Sequence, residues 1–349
     1  MYLKRKIDTF LETWKNDVDH NPLIVKGARQ IGKTESILHF ANSHYKNVIY
    51  INFVFDKKFQ GILDDGYDAS SVLKNISLID PTLKLVPYET IIIFDEIQEY
   101  PDIATTLKAF KIDGKYDVIC SGSMLGINYK KIHSNSVGYK TDYTMYSFDF
   151  EEFLWSLGYT DLQINDILIH MCELEPFSEI EINTYKKLFL EYCVLGGMPA
   201  VVKSYVINNN FSKTLELQRQ IMLDYEEDVR KYAIGLDQTK IISIYRNIPA
   251  QLAKENKKFQ YSKIDKKAKG REYRFAITWL EEFGLAKLCY NLNNIELPLE
   301  GNKNEECFKL YITDTGLFMA MLGNDTYNEI LNKDMGIYKG AIYENIIAE

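Results

Sequence analysis

The chain has 349 residues, of which 46% are hydrophobic and 26% charged, and its formal net charge is −8. This length exceeds that of a typical single domain, and the apolar content supplies a buried core, which excludes wholesale disorder. The negative charge excludes a uniformly basic nucleic-acid binder, although it is compatible with a local basic patch.

The first 150 residues alternate short apolar runs with helical stretches. The N-terminal segment predicts an amphipathic helix with one apolar face, formed by Leu3, Ile7, Phe10, Leu11 and Trp14. Short β-branched or aromatic runs follow at residues 23–26, 48–53, 90–95, 117–121 and 143–146. Pro101 predicts the start of a helix that extends to residue 110. Such a pattern is typical of a parallel sheet covered on both faces, so we predict an α/β domain over residues 1–150.

Beyond residue 150 the strand signal fades. Helical periodicity, interrupted by the turn sequence GGMP at 196–199, predicts a helical subdomain over residues 151–235. Residues 236–325 predict a winged helix-turn-helix domain. Its predicted elements are a helix at 238–256, a short strand at 259–261, a turn with a second helix, a helix at 270–283, and strands at 285–290 and 308–312. An apolar helix near the end lacks a capping residue, so we expect residues 326–349 to begin a further, truncated domain.

The sequence GARQIGKT fits the phosphate-loop pattern G-x-x-x-x-G-K-[ST] at every fixed position. Its glycines allow the turns that aim backbone N–H groups at phosphates, and the following helix points its positive end at the same anion. Lys33 is expected to contact the β- and γ-phosphates, and the Thr34 hydroxyl to ligate Mg²⁺. A chance match is disfavoured because the loop follows an apolar strand and opens a helix. We therefore predict a Mg-ATP site at Gly27, Ala28, Arg29, Gln30, Ile31, Gly32, Lys33 and Thr34.

Two carboxylates, Asp95 and Glu96, end the apolar run at 90–95. We expect Asp95 to hold Mg²⁺ through its water shell and Glu96 to orient and polarise the attacking water. A solvated strand end is the structural alternative, but the phosphate loop already predicts such a partner. The glutamate also separates this chain from GTPases that position water with glutamine. At the end of the next strand, Ser121 and Ser123 either contact the γ-phosphate or lytic water, or form an ordinary Ser-Gly turn.

Residues 251–274 form a basic segment with nine Lys or Arg against three acids. The segment coincides with the predicted helix-turn-helix, where DNA phosphate contacts are expected, and Tyr261 and Tyr273 would lie against sugar or base. The alternative is a solvated helical face beside an acidic neighbour. The candidate DNA contacts are Lys263, Lys266, Lys267, Lys269, Arg271 and Arg274. By contrast, the sequence predicts a core position for Phe275, Ile277, Trp279 and Leu280.

Other features point to a cytoplasmic protein. The five cysteines lie far apart with no C-x-x-C pair, which argues against a disulfide framework or zinc cluster and favours a reducing compartment. The five histidines form no metal-binding pattern either. Because the chain has no apolar run long enough to cross a bilayer and no signal-peptide features at its start, we expect no membrane contact.

Taken together, several of these segments resemble a prokaryotic AAA+ ATPase family with a C-terminal domain of unknown function. The matching segments are GARQIGKT, FDEIQ, SGS, FDFEEF, GGMP, WL at 279–280 and YITDTGL at 311–317. The resemblance spans essentially the whole chain. It implies a winged-helix segment followed by a restriction-endonuclease-like fold, whose start is similar to Gly340, Glu344 and Asn345. The later acidic and lysine positions of that fold would lie beyond residue 349, so nuclease activity is expected to be absent or incomplete.

One departure from the family pattern concerns the arginine finger. Many relatives carry a Gly-Arg pair where this chain has Gly138, Tyr139 and Lys140. Arg219 and Arg230 are alternative sources, and the sequence does not rank them. Because such an arginine is worth several orders of magnitude in rate, slow hydrolysis is compatible with this chain.

Two functions follow from these observations. The first is a Mg²⁺-dependent ATPase that couples its nucleotide state to the winged-helix and C-terminal parts. The second is a DNA-binding regulator that uses ATP as a conformational switch with little turnover. A defence or toxin-like module is a third hypothesis. The expected partners are ATP, DNA for the second function, and a second copy of the chain, because AAA-type sites often borrow residues from a neighbour.

Overall fold

The chain divides into two units, Met1–Tyr146 and Ser147–Glu349. The structure is a computed structural model that describes residues 1–123, 136–233, 235–254, 258–266, 270–323 and 339–349. No helix in these ranges is both long and apolar enough to cross a bilayer.

A five-stranded parallel sheet organises the first unit. Its strands are β1 (Leu23–Lys26), β2 (Asn47–Asn52), β3 (Thr90–Asp95), β4 (Asp117–Gly122) and β5 (Thr141–Thr144). They lie in the order β2-β3-β4-β1-β5, and each neighbouring pair is parallel. The helices are α1 (Lys6–Asn16), α2 (Lys33–His44), α3 (Ala69–Ile79) and α4 (Leu107–Asp113). The predicted parallel α/β architecture is therefore confirmed.

Strand β3 lies in the interior of the sheet, which explains why most of its residues are apolar. Every residue of β3 is buried, because the strand has a neighbour on each side and both of its faces are covered. Phe94 on this strand packs with Phe53 and Phe110, at ring-centroid distances of 5.9 and 6.4 Å. This core fixes the carboxyl end of β3, where the acidic pair begins.

Two local boundaries in the first unit differ from the prediction. The segment after Pro101 is a 3₁₀ helix over Pro101–Thr106 and becomes α-helical only at α4. The last strand is shifted toward the N-terminus, since β5 covers Thr141–Thr144 rather than residues 143–146. Hydrogen bonds with the neighbouring strand decide such ends, and apolar content alone does not.

The second unit is mainly helical. Its helices are α5 (Phe150–Ser156), α6 (Asp161–Glu173), α7 (Glu179–Leu195), α8 (Pro199–Asn208), α9 (Phe211–Tyr232), α10 (Gln238–Leu252), α11 (Gly270–Glu282), α12 (Thr315–Leu322) and α13 (Lys339–Ala348). An antiparallel hairpin is formed by β6 (Ala286–Leu292) and β7 (Lys303–Ile312). The predicted helical, winged-helix and C-terminal segments all fall inside this unit, so their separate boundaries stay a prediction.

Three of the segments that resemble the AAA+ ATPase family contact one another in the interior of the second unit. Phe148 N–H donates to the carbonyl oxygen of Gly197 at 2.7 Å, and Gly197 N–H donates to the Asp314 carboxylate at 2.8 Å. Gly316 lies against the end of α7, where a Cβ atom would come within 2.1 Å of the carbonyl oxygen of Leu195. The FDFEEF, GGMP and TDTGL segments therefore specify a close backbone junction.

The predicted winged-helix elements are only partly present. The strand predicted at 259–261 is not formed, because Phe259 makes a backbone hydrogen bond to Phe308 (2.9 Å) without a continuing ladder. Residues Tyr261–Lys263 form a 3₁₀ turn, and the predicted second helix is not seen in residues 258–266. The preceding helix, α10, ends at Leu252. The helix and two strands that follow are present close to their predicted positions as α11, β6 and β7.

The prediction that Phe275 belongs to the core is wrong. Its side chain is 71% exposed, whereas Ile277, Trp279 and Leu280 are buried as predicted. The buried face of α11 also includes Tyr273, and positions three and four residues apart share a helix face. Phe275 falls off that face, so its apolar character alone was misleading.

Candidate nucleotide site

The loop between β1 and α2 contains three residues with positive φ, namely Gly27 (146°), Gln30 (62°) and Gly32 (90°). At Gly27 a Cβ atom would lie 2.2 Å from the carbonyl oxygen of Met145 and 2.5 Å from Ile31 Cδ1, so only glycine fits. Gly32 is the N-cap of α2 and has no side chain with which to cap it. The first N–H groups of the helix are thus left for an anionic ligand.

Lys33 is folded back onto this loop. Its Nζ donates to the carbonyl oxygens of Gly27 (2.9 Å) and Ala28 (2.6 Å). Burial lowers the pKa of Lys33 to about 8, against the opposing effect of the Glu96 and Asp95 carboxylates. The loop therefore holds a buried cation, at the position where the phosphate-loop pattern requires one.

The Asp95 carboxylate is the centre of a hydrogen-bond network at the end of β3. Its Oδ2 accepts from Thr34 Oγ1 (2.9 Å), the Tyr50 hydroxyl (2.7 Å) and Asn52 Nδ2 (3.3 Å). Its Oδ1 accepts from Ser121 Oγ. The structure thus brings together the two residues predicted to hold Mg²⁺, Thr34 and Asp95, although the first lies in the first turn of α2 and the second at the end of β3.

These two side chains fit a magnesium ion. A hydroxyl oxygen and a carboxylate oxygen, 2.9 Å apart, are the hard oxygen ligands that Mg²⁺ prefers, and the ion usually keeps several waters besides one or two protein ligands. Thr34 would bind such an ion directly and Asp95 through its water shell.

Tyr50 and Asn52 on β2 were not identified from the sequence. Asn52 pairs with Asp95 in the register of β2 and β3, and Tyr50, two residues earlier, lies on the same face of the sheet. Burial raises the pKa of the Tyr50 phenol well above its ordinary value, so the hydroxyl stays protonated and donates. The polar residue at the end of the apolar run that forms β2 could have indicated this contact. The carboxyl ends of parallel strands lie at the same edge of the sheet.

Glu96, the predicted base, has a left-handed backbone conformation (φ 55°, ψ 44°) at the start of the 3₁₀ turn Ile97–Glu99. Gln98 Nε2 donates to Glu96 Oε2. Gln98 is 7% exposed, and its Oε1 finds no hydrogen-bond partner in the part of the chain that the structure describes. A carboxylate accepts only from the NH₂ end of an amide, which fixes the orientation of Gln98. Gln98 thus orients the Glu96 carboxylate and offers a buried acceptor beside it.

The two serines at the end of β4 differ in their contacts. Ser121 donates to Asp95, so it supports the acidic pair directly. Ser123 is buried, and no described residue forms a hydrogen bond with its Oγ. A buried hydroxyl without a protein partner is costly unless a ligand or water satisfies it, which is consistent with the predicted contact to the γ-phosphate or lytic water.

The residues of the predicted DNA contact are only partly described. Lys263, Lys266, Arg271 and Arg274 are exposed, whereas Lys267 and Lys269 lie outside the described residues. Arg274 forms an ion pair with Glu305. The expectation that Tyr273 would lie against sugar or base is wrong, because it is buried, and its ring lies 5.8 Å from that of Tyr261, which is half-buried.

Lys140, at the position of the family's arginine finger, and the alternative sources Arg219 and Arg230 all have interaction partners. Lys140 Nζ donates to both carboxylate oxygens of Asp142, at 2.7 and 2.8 Å. Arg230 lies 3.9 Å from Glu226 on the same helix, and Arg219 also has an interaction partner. These contacts assign none of the three to the nucleotide site.

The first unit has the P-loop NTPase fold of the AAA+ type. The phosphate loop follows β1, the acidic pair begins with the last residue of β3, and β4 lies between these two strands. Comparison with known families agrees, because residues 19–154 match an AAA domain. Residues 186–328 match a domain of unknown function (DUF8612). No curated protein matches the chain.

The chain is also similar to solved structures at low sequence identity. A Walker-type ATPase of Pyrococcus abyssi is 15% identical, with a TM-score of 0.55 over 92% of this chain and 96% of its own. The ORC1 protein of Aeropyrum pernix, solved in complex with DNA, is 13% identical, with a TM-score of 0.37 over 95% and 94% of the two chains. AMPPCP-bound DnaA from Aquifex aeolicus is 14% identical, with a TM-score of 0.35 over 81% and 90%. The first likeness concerns the fold alone, and the other two are too distant to support an argument.

Proposed function

We propose that the protein is a Mg²⁺-dependent ATPase that hydrolyses ATP to ADP and phosphate. The observation that carries this proposal is the hydrogen bond of 2.9 Å between the Thr34 hydroxyl and the Asp95 carboxylate. It joins the phosphate loop to the end of β3, where the next residue is Glu96. A cation at Lys33, a pair of metal ligands and an adjacent base are the groups that ATP hydrolysis uses.

Each residue has a role that follows from its chemistry. The Lys33 ammonium would exchange its loop carbonyls for oxygens of the β- and γ-phosphates. Thr34 and Asp95 would hold Mg²⁺, which when bound neutralises charge on those phosphates. Glu96 would accept a proton from water as the water oxygen attacks the γ-phosphorus. The bond from that phosphorus to the β–γ bridging oxygen then breaks, so that ADP leaves and phosphate is formed.

The proposal extends to assembly and coupling. An arginine from a neighbouring copy would supply the charge that Lys140 and its Asp142 ion pair do not. The helices and hairpin of residues 236–325, which we interpret as a winged-helix domain, would respond to the nucleotide state. This coupling rests on the family resemblance, and the hydrolysis itself rests on the geometry of the site.

Turnover and binding measured side by side test the hydrolysis proposal. In Glu96→Gln we expect hydrolysis to fall by roughly 10²- to 10⁴-fold because the general base is lost, while the affinity for a fluorescent ATP analogue stays close to wild type. Lys33→Ala should weaken binding itself. Glu99→Gln, which neutralises an exposed carboxylate in the same 3₁₀ turn, is the matched control and should change neither quantity.

Two results would contradict the proposal. One is a wild-type protein that binds no nucleotide in the presence of Mg²⁺. The other is a Glu96→Gln variant that hydrolyses ATP as fast as wild type. Binding without turnover, even with DNA present, would instead favour the switch described next.

The second candidate function is a DNA-binding regulator that uses ATP as a conformational switch. The observation that favours it is the outer surface of α11, where Arg271, Arg274 and Phe275 are all exposed. Fluorescence anisotropy with a labelled duplex at several salt concentrations tests this function. Arg271→Ala should weaken binding and reduce the salt slope by about 1, whereas Lys187→Ala, an exposed lysine on α7, should not. Absence of salt-dependent binding would exclude the function.

A further inference from the structure

A second cluster of polar side chains lies in the second unit, where α6 and α7 follow each other along the chain. Asp166 and His170 are four residues apart on α6, and Glu181 lies in the first turn of α7. Residues at this spacing share a helix face. One ligand atom from each of the three side chains lies within 4.8 Å of the other two. The helical hairpin therefore gathers one imidazole and two carboxylates at one point.

Backbone groups orient two of these side chains toward each other. His170 Nδ1 lies 3.4 Å from the carbonyl oxygen of Glu175, and because a carbonyl only accepts, Nδ1 is the donor of this contact; in a neutral imidazole Nε2 then presents a lone pair. Glu181 Oε2 accepts from Ser178 N–H at 2.7 Å, which leaves Oε1 directed at His170 Nε2. Histidine ligands of metals characteristically donate their other ring N–H to a carbonyl or carboxylate in this way.

The distance between the two facing atoms is compatible with a bound cation. His170 Nε2 and Glu181 Oε1 are 3.7 Å apart, which is longer than a hydrogen bond. Two ligands that each bind one ion at about 2.0–2.2 Å lie roughly 3.3 Å apart in a tetrahedral site, so small side-chain movements suffice to close the site.

We propose that Asp166, His170 and Glu181 bind a divalent transition-metal ion, with Zn²⁺ as the best match. One imidazole nitrogen with two carboxylate oxygens is a donor set for Zn²⁺, whereas Mg²⁺ and Ca²⁺ prefer oxygen ligands alone. Water would complete the coordination, since Asp166 is exposed. The prediction that the histidines form no metal site rests on the spacing of His and Cys residues. Such spacing does not reveal one histidine and two carboxylates that come from two helices.

The packing of α6 gives such an ion a structural role. Ile164 is the buried residue of α6, and it packs in a small cluster with Leu154 and Leu188. A helix with so little buried apolar surface gains little from packing. The metal ion would therefore clamp α6 to the start of α7 and stabilise the hairpin.

Calorimetric titration of the chelator-treated protein with Zn²⁺, without nucleotide or Mg²⁺, tests the proposal. We expect one equivalent of Zn²⁺ to bind and to raise the unfolding temperature. His170→Ala should weaken binding at least tenfold and abolish the thermal shift. Glu181→Gln should weaken it as well, while the glutamine carbonyl can still accept from Ser178 N–H and preserve the start of α7.

A variant with Cys172→Ser and Cys289→Ser is the matched control, because exposed thiols also bind Zn²⁺. It should bind Zn²⁺ like wild type. The proposal is overturned if wild type binds no Zn²⁺, if the cysteine variant loses the binding, or if His170→Ala and Glu181→Gln both retain wild-type affinity. Circular dichroism confirms that each variant is folded before its affinity is compared.

Discussion

Gln98 joins the acidic pair to the short turn that follows it. Its amide donates to Glu96 from a buried position, and its free Oε1 lies beside the predicted base. Because a general base must be held in the geometry of proton transfer, a neighbour that fixes its carboxylate affects rate more than binding. Gln98 is therefore expected to act as a positioning residue for Glu96.

Replacement of Gln98 by alanine should lower kcat for ATP hydrolysis by roughly tenfold or more, because the Glu96 carboxylate loses its restraint. Nucleotide affinity should change little. Gln98→Glu should in addition shift the acidic limb of the pH–rate profile to higher pH, since a second carboxylate raises the pKa of the first. Gln60→Ala, at an exposed position of the same unit, is the control. A wild-type kcat and pH profile in both Gln98 variants would refute this role.

Lys33 is expected to make nucleotide binding depend on pH. Burial holds its pKa at about 8 in the free protein, whereas phosphate oxygens favour the charged form. The complex therefore has the higher pKa, binding takes up protons near pH 8, and affinity falls by up to about tenfold per pH unit above that value. Calorimetry in two buffers of different ionisation enthalpy measures the uptake. Equal apparent enthalpies at pH 8 would contradict it, and Lys33→Met should show no uptake.

Among the elements, α12 begins next to the end of α7, and side-chain hydrogen bonds hold both helix ends. Asp314 caps α12 by accepting from Leu317 N–H at 3.0 Å, and Gln218 on α9 donates to the carbonyl oxygens of Val194 and Leu195 at 2.9 Å. The two bonds from Gln218 satisfy carbonyl groups at the end of α7, which lies next to the start of α12. The junction depends on a residue without a side chain at position 316.

We expect Gly316→Ala to destabilise the second unit by about 1–3 kcal/mol or more, because its Cβ would lie 2.1 Å from the carbonyl oxygen of Leu195. Urea unfolding followed by circular dichroism measures the change. Gly301→Ala is the matched control in the same unit, since the nearest atom to its Cβ would be Pro298 Cγ at 4.0 Å. Equal midpoints for the two variants would show that the junction relaxes without cost.

At the scale of the whole molecule, the two units carry different spectroscopic reporters. Of the three tryptophans, Trp14 lies in the first unit, and Trp155 and Trp279 lie in the second. The buried ring of Trp14 packs near Phe40 on α2, the helix that begins at the phosphate loop. The fluorescence difference between wild type and Trp14→Phe therefore reports on the unit that contains the proposed nucleotide site.

This difference signal should shift to higher temperature when a non-hydrolysable ATP analogue and Mg²⁺ are added. At a concentration of 100 times Kd, a ligand of the native state stabilises by about 2.7 kcal/mol. For a unit of this size that corresponds to roughly 5–10 °C in the unfolding midpoint. Lys33→Ala should remove the shift at the same ligand concentration. A shift that persists in Lys33→Ala would place the nucleotide elsewhere.

The parallel sheet could be predicted from the sequence and is confirmed, and the sequence also predicts the phosphate loop and the acidic pair as a nucleotide site. Apolar runs bounded by polar residues define β1 to β4 because a buried strand needs no polar face. The groups predicted to cradle phosphate lie within eight consecutive residues, so the chain specifies them locally. Asp95 and Glu96 were found because they end such a run.

The side chains that surround those residues could not be predicted, because they come from other strands. Tyr50, Asn52 and Ser121 reach Asp95 from neighbouring strands, and that contact depends on strand order and register, which no local pattern encodes. The exposure of Phe275 could not be predicted either, because apolar character does not show which face of α11 is covered by other elements. Local backbone preferences act over a few residues, whereas these contacts join segments far apart in the chain, and packing alone brings them together.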